Sequence, residues 1–212
     1  MGKPFFSVIV PEHNAVQFMR KGLDSIKQQD FTDYELIIIC DKCEDGTAAV
    51  AREYSDKVLT TEFGLCGLSR NAGLDIAEGE YVLFMDDDDR WMAGNAFRQI
   101  HDMAVAEEPD ILFFNFWWNH RGFYDQKKNG YCWAVWNKAW RRDFIGEVRF
   151  DDFEYGEDVA WMKTMMAKNP KRSYLSSALY FYDYMRYNSQ SWKYERGLVK
   201  YQSSGDGKVD KT

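Results

Sequence analysis

Short apolar runs rich in β-branched and aromatic residues alternate with helix-like segments through the first 85 residues of the chain. The pattern predicts strands at residues 5–10, 35–40, 58–61 and 81–85. It predicts helices at residues 15–29, from residue 46 onward and at residues 68–77. Strands joined through helices run parallel, so this order predicts an α/β fold with a mostly parallel central sheet flanked by helices.

The first apolar run is followed by two residues that indicate where a strand ends and where a helix begins. Pro11 lacks the backbone N–H that a central strand needs, so we expect it to end the strand. Asn is a favoured N-cap residue, so we expect Asn14 to begin the first helix. Further along the chain, helical patterns occur at residues 94–106 and from residue 157, and a strand pattern occurs at residues 110–116.

The composition is that of one globular domain. Of 212 residues, 45% are hydrophobic and 29% are charged. The formal net charge of −7 argues against nucleic-acid binding, which usually requires a basic surplus. No apolar run approaches the roughly 18 residues of a membrane span, and no signal-peptide pattern opens the sequence. We therefore expect a cytoplasmic protein without a transmembrane segment.

Four cysteines occur, at positions 40, 43, 66 and 132. Without an export signal, free thiols are a better interpretation than a disulfide framework. Cys40 and Cys43 have the C-x-x-C spacing of a redox motif, whereas a zinc site would require a second ligand pair. Redox or zinc chemistry is therefore the minor alternative for this pair.

Four consecutive aspartates, residues 86–89, follow the fourth predicted strand. Side chains alternate along an extended chain, so Asp86 and Asp88 would share one face and could hold Mg²⁺ or Mn²⁺ together with phosphate oxygens. A solvated acidic turn is the plain alternative. An EF-hand loop is excluded, because its sixth and twelfth positions require Gly and Glu but hold Trp91 and Phe97.

Polar clusters at residues 11–14, 40–41 and 86–89 all follow predicted strands. Ligands of parallel α/β sheets bind beyond the carboxyl ends of the strands, so we expect these clusters to meet on one rim. No Gly-x-Gly-x-x-Gly and no phosphate-binding lysine loop follows the first strand. The sequence therefore gives no sign of a dinucleotide or P-loop site.

Tryptophans are concentrated in one short stretch: Trp117, Trp118, Trp133, Trp136 and Trp140. For any one of them, a place in the core is the better interpretation. Their clustering leaves open that one or two stack on a sugar ring.

Six motifs follow one another along the chain, at residues 7–14, 41–47, 69–74, 79–89, 136–144 and 156–158. Together they resemble family 2 inverting glycosyltransferases of the GT-A fold, and the resemblance covers about residues 5–191. It implies a Rossmann-like GT-A sheet and a metal-assisted hexosyl transfer. Two positions depart from the family pattern: His13 stands where an aromatic residue is usual, and Cys40 where an aspartate is usual.

The resemblance also implies roles for individual residues. Asp86 and Asp88 would bind Mn²⁺ or Mg²⁺ as a DxD element, and Glu157 and Asp158 would form an ED motif in which Asp158 is the general base. Tyr182, Arg186 and residues 189–191 would close over the diphosphate. The implied donor-binding residues are Pro11, Glu12, Asn14, Asp41, Arg70, Asn71, Asp86, Asp87 and Arg186.

The implied organisation divides one domain into two halves. Residues 1–106 would bind the nucleotide-sugar, residues 107–202 would bind the acceptor and carry the base, and residues 203–212 would form a flexible tail. The implied reaction moves a sugar, with inversion, from a UDP-sugar to a glycan or lipid-linked acceptor, which leaves peripheral membrane association open. A sugar nucleotidyltransferase and a catalytically silent nucleotide-sugar-binding protein are the alternatives.

Overall fold

The computed structural model describes residues 2–184 and 189–202. Within these residues, nine strands form a single sheet. The strands are β1 (Phe6–Glu12), β2 (Tyr34–Asp41), β3 (Lys57–Thr61), β4 (Tyr81–Phe84), β5 (Arg90–Trp91), β6 (Ile111–Trp118), β7 (Gly122–Tyr124), β8 (Lys138–Arg141) and β9 (Arg172–Tyr182). The helices are α1 (Met19–Lys27), α2 (Thr47–Tyr54), α3 (Cys66–Ile76), α4 (Ala96–Glu107), α5 (Gln126–Asn129), α6 (Arg142–Ile145), α7 (Glu157–Ala167) and α8 (Gln190–Glu195).

The sheet is parallel in its first half and mixed in its second. Its strands follow the order β3-β2-β1-β4-β8-β6-β9-β5, and β7 pairs with β6. The pairs within β3-β2-β1-β4 are parallel, β8 is antiparallel to both β4 and β6, and β9 is parallel to β6. Because β8 runs against both neighbours, β4 and β6 point the same way. The carboxyl ends of β1, β2, β4 and β6 therefore share one rim.

Helices cover both faces of the sheet, which confirms the predicted α/β fold. Alternate side chains of β1 enter different hydrophobic clusters, Val8 and Val10 on one face and Ile9 on the other. Residues of α1 and α4 join the first cluster, and residues of α3 and α7 join the second. Burial on both faces explains why these strands are continuous apolar runs in the sequence.

The first strand and helix differ from the local predictions. Pro11 lies inside β1, paired in register with Ile39, rather than ending it. β4 pairs with β1 only as far as Ile9, so the missing N–H of Pro11 disrupts no ladder on that side. The helix begins at Met19 instead of Ala15. Asn14 does not cap it, because Asn14 adopts a left-handed conformation with φ of 49° and its side chain accepts the Glu44 N–H at 2.8 Å.

The aspartate run also differs from the prediction. β4 ends at Phe84, and residues 86–89 form a turn in which the Asp89 N–H donates to the Asp86 carbonyl at 3.2 Å. The alternation of an extended strand therefore does not explain how Asp86 and Asp88 are placed. The predicted flexible tail at residues 203–212 lies outside the described residues. Across the described ranges, no helix is long and apolar enough to cross a membrane.

Candidate active site

Two loops that follow neighbouring strands are joined at the rim. A His13 ring nitrogen, Nδ1, lies 2.8 Å from the main-chain oxygen of Asp41, and the Asn14 side chain holds the Glu44 amide. Further contacts come from the Asp45 and Thr47 side chains: Thr47 Oγ1 accepts the Ala15 N–H at 2.7 Å. The predicted convergence of the first two polar clusters is therefore confirmed.

Arg70 links the aspartate turn to the first turn of α7. Its side chain is 4% exposed and donates to Asp86 Oδ1 and to Glu157 Oε1, both at 2.8 Å. The Glu157 carboxylate is also nearly buried, whereas that of Asp86 is 28% exposed. One guanidinium thus holds together two carboxylates that are 71 positions apart in the numbering, and it brings the predicted DxD and ED motifs into one site.

The approach of α3 to the start of α7 depends on glycine. A Cβ placed on Gly67 would lie 3.0 Å from the Asp151 carbonyl and 3.1 Å from Cγ of Glu157. The residue before α7, Gly156, has φ of 101°, a conformation that L-residues rarely adopt. These two positions let Arg70 and Glu157 meet and let the helix begin at the carboxylate pair.

Asp158 lies in the first turn of α7, beside Glu157. Its Oδ1 accepts the Val159 N–H at 2.8 Å. Burial raises the pKa of Asp158, the negative charges of Glu157 and Asp86 also raise it, and the positive charge of Arg70 opposes them, with a net value of about 7. A carboxylate with a pKa near neutrality is suited to accept a proton at physiological pH.

The aspartate turn is fixed by two residues that the sequence analysis did not single out. The Tyr180 hydroxyl accepts the Asp86 N–H at 3.2 Å and donates to Asp89 Oδ2 at 2.8 Å. Asp89 Oδ1 accepts the Asp183 N–H at 2.8 Å, and the Asp89 side chain is fully buried. Burial raises the pKa of Asp89 well above its usual range. The fourth aspartate therefore anchors the turn to β9 and does not face the rim.

The remaining predicted donor residues are placed differently from one another. Pro11 and Glu12 are buried at the end of β1. The Asn71 side-chain amide makes two hydrogen bonds to the backbone of Phe150. Its oxygen accepts the Phe150 N–H at 2.8 Å, and its nitrogen donates to the Phe150 carbonyl at 2.9 Å. Asp87 is half-buried in the turn. The predicted Arg186 lies outside the described residues.

Asp41 is 4% exposed and holds the loop before α3. Its Oδ1 accepts the Phe63 N–H at 2.7 Å and the Thr61 hydroxyl at 2.9 Å. Its Oδ2 accepts the Gly64 N–H at 2.7 Å. The structure thus gives Asp41 a role in shaping the rim, in addition to the base contact that the resemblance implies.

Asp86 and Asp88 supply hard oxygen ligands, which suit Mg²⁺ or Mn²⁺. Among the residues that the structure describes, no group of three or more His, Cys, Asp or Glu side chains is arranged to hold a metal ion. Mg²⁺ is commonly bound by one or two carboxylates, with substrate phosphates and water completing its shell. The two carboxylates therefore fit a metal ion whose remaining ligands come from a bound diphosphate and water.

Aromatic side chains extend from the aspartate turn along the rim. Trp136 is 4% exposed and stacks on Tyr180 with ring centroids 4.7 Å apart. Tyr182 follows at 4.8 Å from Trp136, and Trp118 lies 5.9 Å from Tyr182. Burial raises the pKa of Tyr182, and its hydroxyl lies 3.2 Å from Ser191 Oγ.

The tryptophans divide between core and surface. Trp136 and Trp140 are buried, whereas Trp117 and Trp133 are 42% and 45% exposed. The core interpretation is therefore confirmed for the first pair and wrong for the second. Trp118 is half-buried.

Lys138 is fully buried beneath the loop that carries Trp133 and Trp136. Its Nζ donates to the carbonyls of Cys132 (2.8 Å) and Ala134 (2.6 Å) and to Asn137 Oδ1 (2.5 Å). Burial lowers the pKa of Lys138, Cys132 and Asp158 oppose that effect, and the net value is about 8. No local pattern around Lys138 indicates that this lysine organises a loop rather than facing solvent.

Comparisons with known proteins find a matching family model and related sequences. The family model described as Glycosyl transferase family 2 matches residues 7–162. Glycosyltransferase GlyA of Streptococcus pneumoniae is 27% identical over 209 residues, which cover 83% of this chain and 30% of GlyA. TarS of Staphylococcus aureus, a poly(ribitol-phosphate) β-N-acetylglucosaminyltransferase, is 39% identical over 92 residues, or 40% of this chain and 16% of TarS.

The fold matches a solved structure over most of its length. Residues 1–349 of S. aureus TarS, in complex with UDP-GlcNAc, align with a TM-score of 0.79 and 25% identity, covering 88% of this chain and 60% of that one. The present chain spans 30% to 36% of the length of the first curated relatives that it matches.

Proposed function

The chain belongs to glycosyl transferase family 2, and from that premise we propose that it transfers a sugar from a UDP-sugar to a glycan or lipid-linked acceptor, with inversion. The contact that supports this proposal most strongly is the Arg70 bridge, at 2.8 Å to both Asp86 and Glu157. It joins a turn suited to a metal and a diphosphate with a carboxylate pair suited to proton transfer. The UDP-GlcNAc complex of TarS supports a uridine nucleotide as donor.

Residues 1–106 form the donor side in this proposal. The loops after β1 and β2, which include Pro11, Glu12 and Asn14, border the nucleotide, and Asp41 shapes the floor of the base pocket through Phe63 and Gly64. Arg70 and Asn71 orient the donor pocket from α3 by holding Asp86 and the Phe150 backbone. Asp87 contacts the donor from the turn.

Asp86 and Asp88 hold Mg²⁺ or Mn²⁺ in this proposal. When bound, the cation would offset the negative charge that develops on the leaving diphosphate. Residues around the turn keep the two carboxylates in position. Tyr180 holds the turn through the Asp86 N–H and the Asp89 carboxylate, and Arg70 holds the Asp86 carboxylate.

Asp158 is the general base of the proposed reaction. Inversion requires the acceptor hydroxyl to attack the sugar on the face opposite the leaving diphosphate, and its proton must leave as the new bond forms. Asp158, with a pKa raised to about 7, is ionised in a large fraction of molecules at neutral pH and is basic enough to take this proton. Glu157 is engaged by Arg70 and orients the pair.

Residues 107–202 form the acceptor side. The exposed Trp133 and the half-buried Trp118 offer aromatic faces near the rim, and aromatic faces stack well on the apolar faces of sugar rings. Trp136 is buried against Tyr180 and Tyr182, so it does not contact the acceptor in this proposal.

The test uses purified chain, a panel of UDP-sugars with Mn²⁺, and measurement of UDP release and of the product anomer. Asp158→Asn should lower kcat by about 10² or more while leaving UDP affinity nearly unchanged. Asp152→Asn, an exposed carboxylate in the loop before α7, is the matched control and should retain full activity. Near wild-type transfer by Asp158→Asn, together with an inactive Glu157→Gln, would reverse the two roles. Retention of the donor's anomeric configuration would refute inversion.

A further inference from the structure

Cys40 and Cys43 lie at the end of β2, on the donor side of the rim, and the proposed sugar transfer uses neither. Cys40 is fully buried in the core, and Cys43 is half-buried on the turn that follows. The Cys43 sulfur is 3.4 Å from the main-chain oxygen of Glu12, and Glu12 is the register partner of Cys40 in the β1–β2 pair. Cys40 belongs to the buried hydrophobic cluster on one face of the sheet and Cys43 packs against the same cluster, so the turn returns Cys43 to the face that holds Cys40.

We propose that Cys40 and Cys43 form a reactive dithiol that oxidises to an intramolecular disulfide and thereby weakens nucleotide binding at the donor rim. The dithiol is a modification site that acts on the donor pocket. Its effect on binding rests on the proposed function, whereas disulfide formation itself does not.

The surroundings suit the two thiols to different roles. The neighbouring Cys40 thiol lowers the pKa of Cys43 to about 7, while the proximity of Cys43 and burial raise the pKa of Cys40. The more exposed sulfur is therefore the better thiolate, and its buried neighbour is poised to resolve the oxidised form. Burial raises the pKa of both other cysteines, Cys66 and Cys132, which makes them internal comparisons.

The oxidant required is a peroxide. The Cys43 thiolate attacks one peroxide oxygen, the O–O bond breaks, and a sulfenic acid and a hydroxide ion form. The Cys40 sulfur then attacks the sulfenic sulfur, the S–O bond breaks, and the S–S bond forms while the Cys40 proton leaves with the departing oxygen as water. In sum, two thiols lose two electrons, and one hydrogen peroxide becomes two waters. A dithiol reductant reverses the change.

Closure of the disulfide must move the turn rather than the strand. The S–S bond is about 2.05 Å long, much shorter than a contact between two thiols. Cys40 is fixed within β2, so Cys43 is drawn inward and takes the Glu44 amide with it. The Glu44 N–H then leaves Asn14 Oδ1, which it now meets at 2.8 Å, and the loop that borders the proposed nucleotide site loses its anchor.

The experiment treats the purified full chain with hydrogen peroxide, blocks remaining thiols, and digests with trypsin. Cleavage after Lys42 separates the two cysteines, so the disulfide should link peptide 28–42 to peptide 43–52. Amide hydrogen exchange in residues 43–52 should rise on oxidation. UDP affinity should fall about fivefold or more and recover with dithiothreitol. Cys43→Ser should abolish all three responses, and Cys66→Ser should retain them.

Absence of the linked peptides, or oxidation of Cys66 and Cys132 as rapid as that of Cys43, would overturn the inference. So would a disulfide that leaves amide exchange unchanged, because the turn would then not have moved. A linked pair with unchanged UDP affinity would overturn its effect on the donor site. If the reduced protein does not bind UDP, the proposed function fails, while the linked peptides and the exchange signal still decide whether the dithiol switch exists.

Discussion

Replacing Arg70 with methionine should destabilise the protein strongly, because the change leaves two carboxylates without their cation. Arg70 is 4% exposed, and its contacts to Asp86 and Glu157 are both 2.8 Å long. Removing one partner of a buried ion pair typically costs about 3–5 kcal/mol, since the remaining charge stays desolvated. For a protein of this size, that loss lowers the thermal midpoint by about 6 to 20 °C.

A second arginine provides the matched control. Arg20 donates to both oxygens of Glu53, also at 2.8 Å, but these side chains are 48% and 55% exposed. Exposed pairs are screened by solvent and contribute little. Arg20→Met should therefore leave the midpoint unchanged, although its geometry resembles that of the Arg70 bridge. The two substitutions differ in burial and in the number of carboxylates left without a cation, two for Arg70 and one for Arg20.

The assay is thermal unfolding followed by circular dichroism near neutral pH, with unfolding in urea as a second measure. Arg70→Lys should fall between wild type and Arg70→Met, because one ammonium cannot match the planar fork that reaches both carboxylates. Adding Glu157→Gln to Arg70→Met should recover part of the loss by removing one stranded charge. Equal midpoints for Arg70→Met and Arg20→Met would refute the reasoning.

Three further outcomes follow from the site. Since the pKa of Asp158 is raised to about 7, kcat/KM should fall about tenfold per pH unit below about pH 6; a rate that is flat between pH 5 and 7 would rule out Asp158 as the base. Asp88→Ala should abolish the Mn²⁺-dependent part of UDP affinity measured by calorimetry, and undiminished binding of wild type in EDTA would contradict a metal-assisted donor site. Trp133→Ala should raise acceptor KM without lowering the thermal midpoint. Trp136→Ala should form a cavity and cost about 3–5 kcal/mol of stability. A loss of stability for Trp133→Ala, together with a raised acceptor KM and unchanged stability for Trp136→Ala, would exchange the two assignments.

The strands and helices of the first 107 residues were largely predictable, because their signals are local. An apolar run such as residues 36–40 is buried on both faces, and hydrophobic periodicity reports that burial directly. Boundaries were less predictable. Asn14 carries an N-cap signal, but a contact with Glu44, 30 positions away, decides its conformation.

The site was predictable in its ingredients but not in its arrangement. Asp86 and Asp89 are the same residue type in one run, yet one lies at the rim and the other is buried. Their difference is set by Tyr180 and Asp183, more than 90 positions later. Lys138 illustrates a second limit: its partners Cys132, Ala134 and Asn137 are close in sequence, but the residue types do not indicate that the ammonium will be buried among their oxygens. The placement of the aspartates depends on contacts that no local window of the sequence contains.

The pairing of β5 with β9 bears on how the chain acquires its structure during synthesis. β5 directly follows the aspartate turn, but its partners, Tyr180 and Phe181, are translated about 90 residues later. A nascent chain that has emerged only to the end of β8 can form the parallel strands β1 to β4. Its aspartate turn still lacks the Tyr180 hydroxyl and the Asp183 amide that hold it. Contacts of such high sequence separation are slow to form. During synthesis the parallel strands can therefore form before the aspartate turn is held in place. A chain stalled after β8 would be partly folded and would lack an ordered aspartate turn.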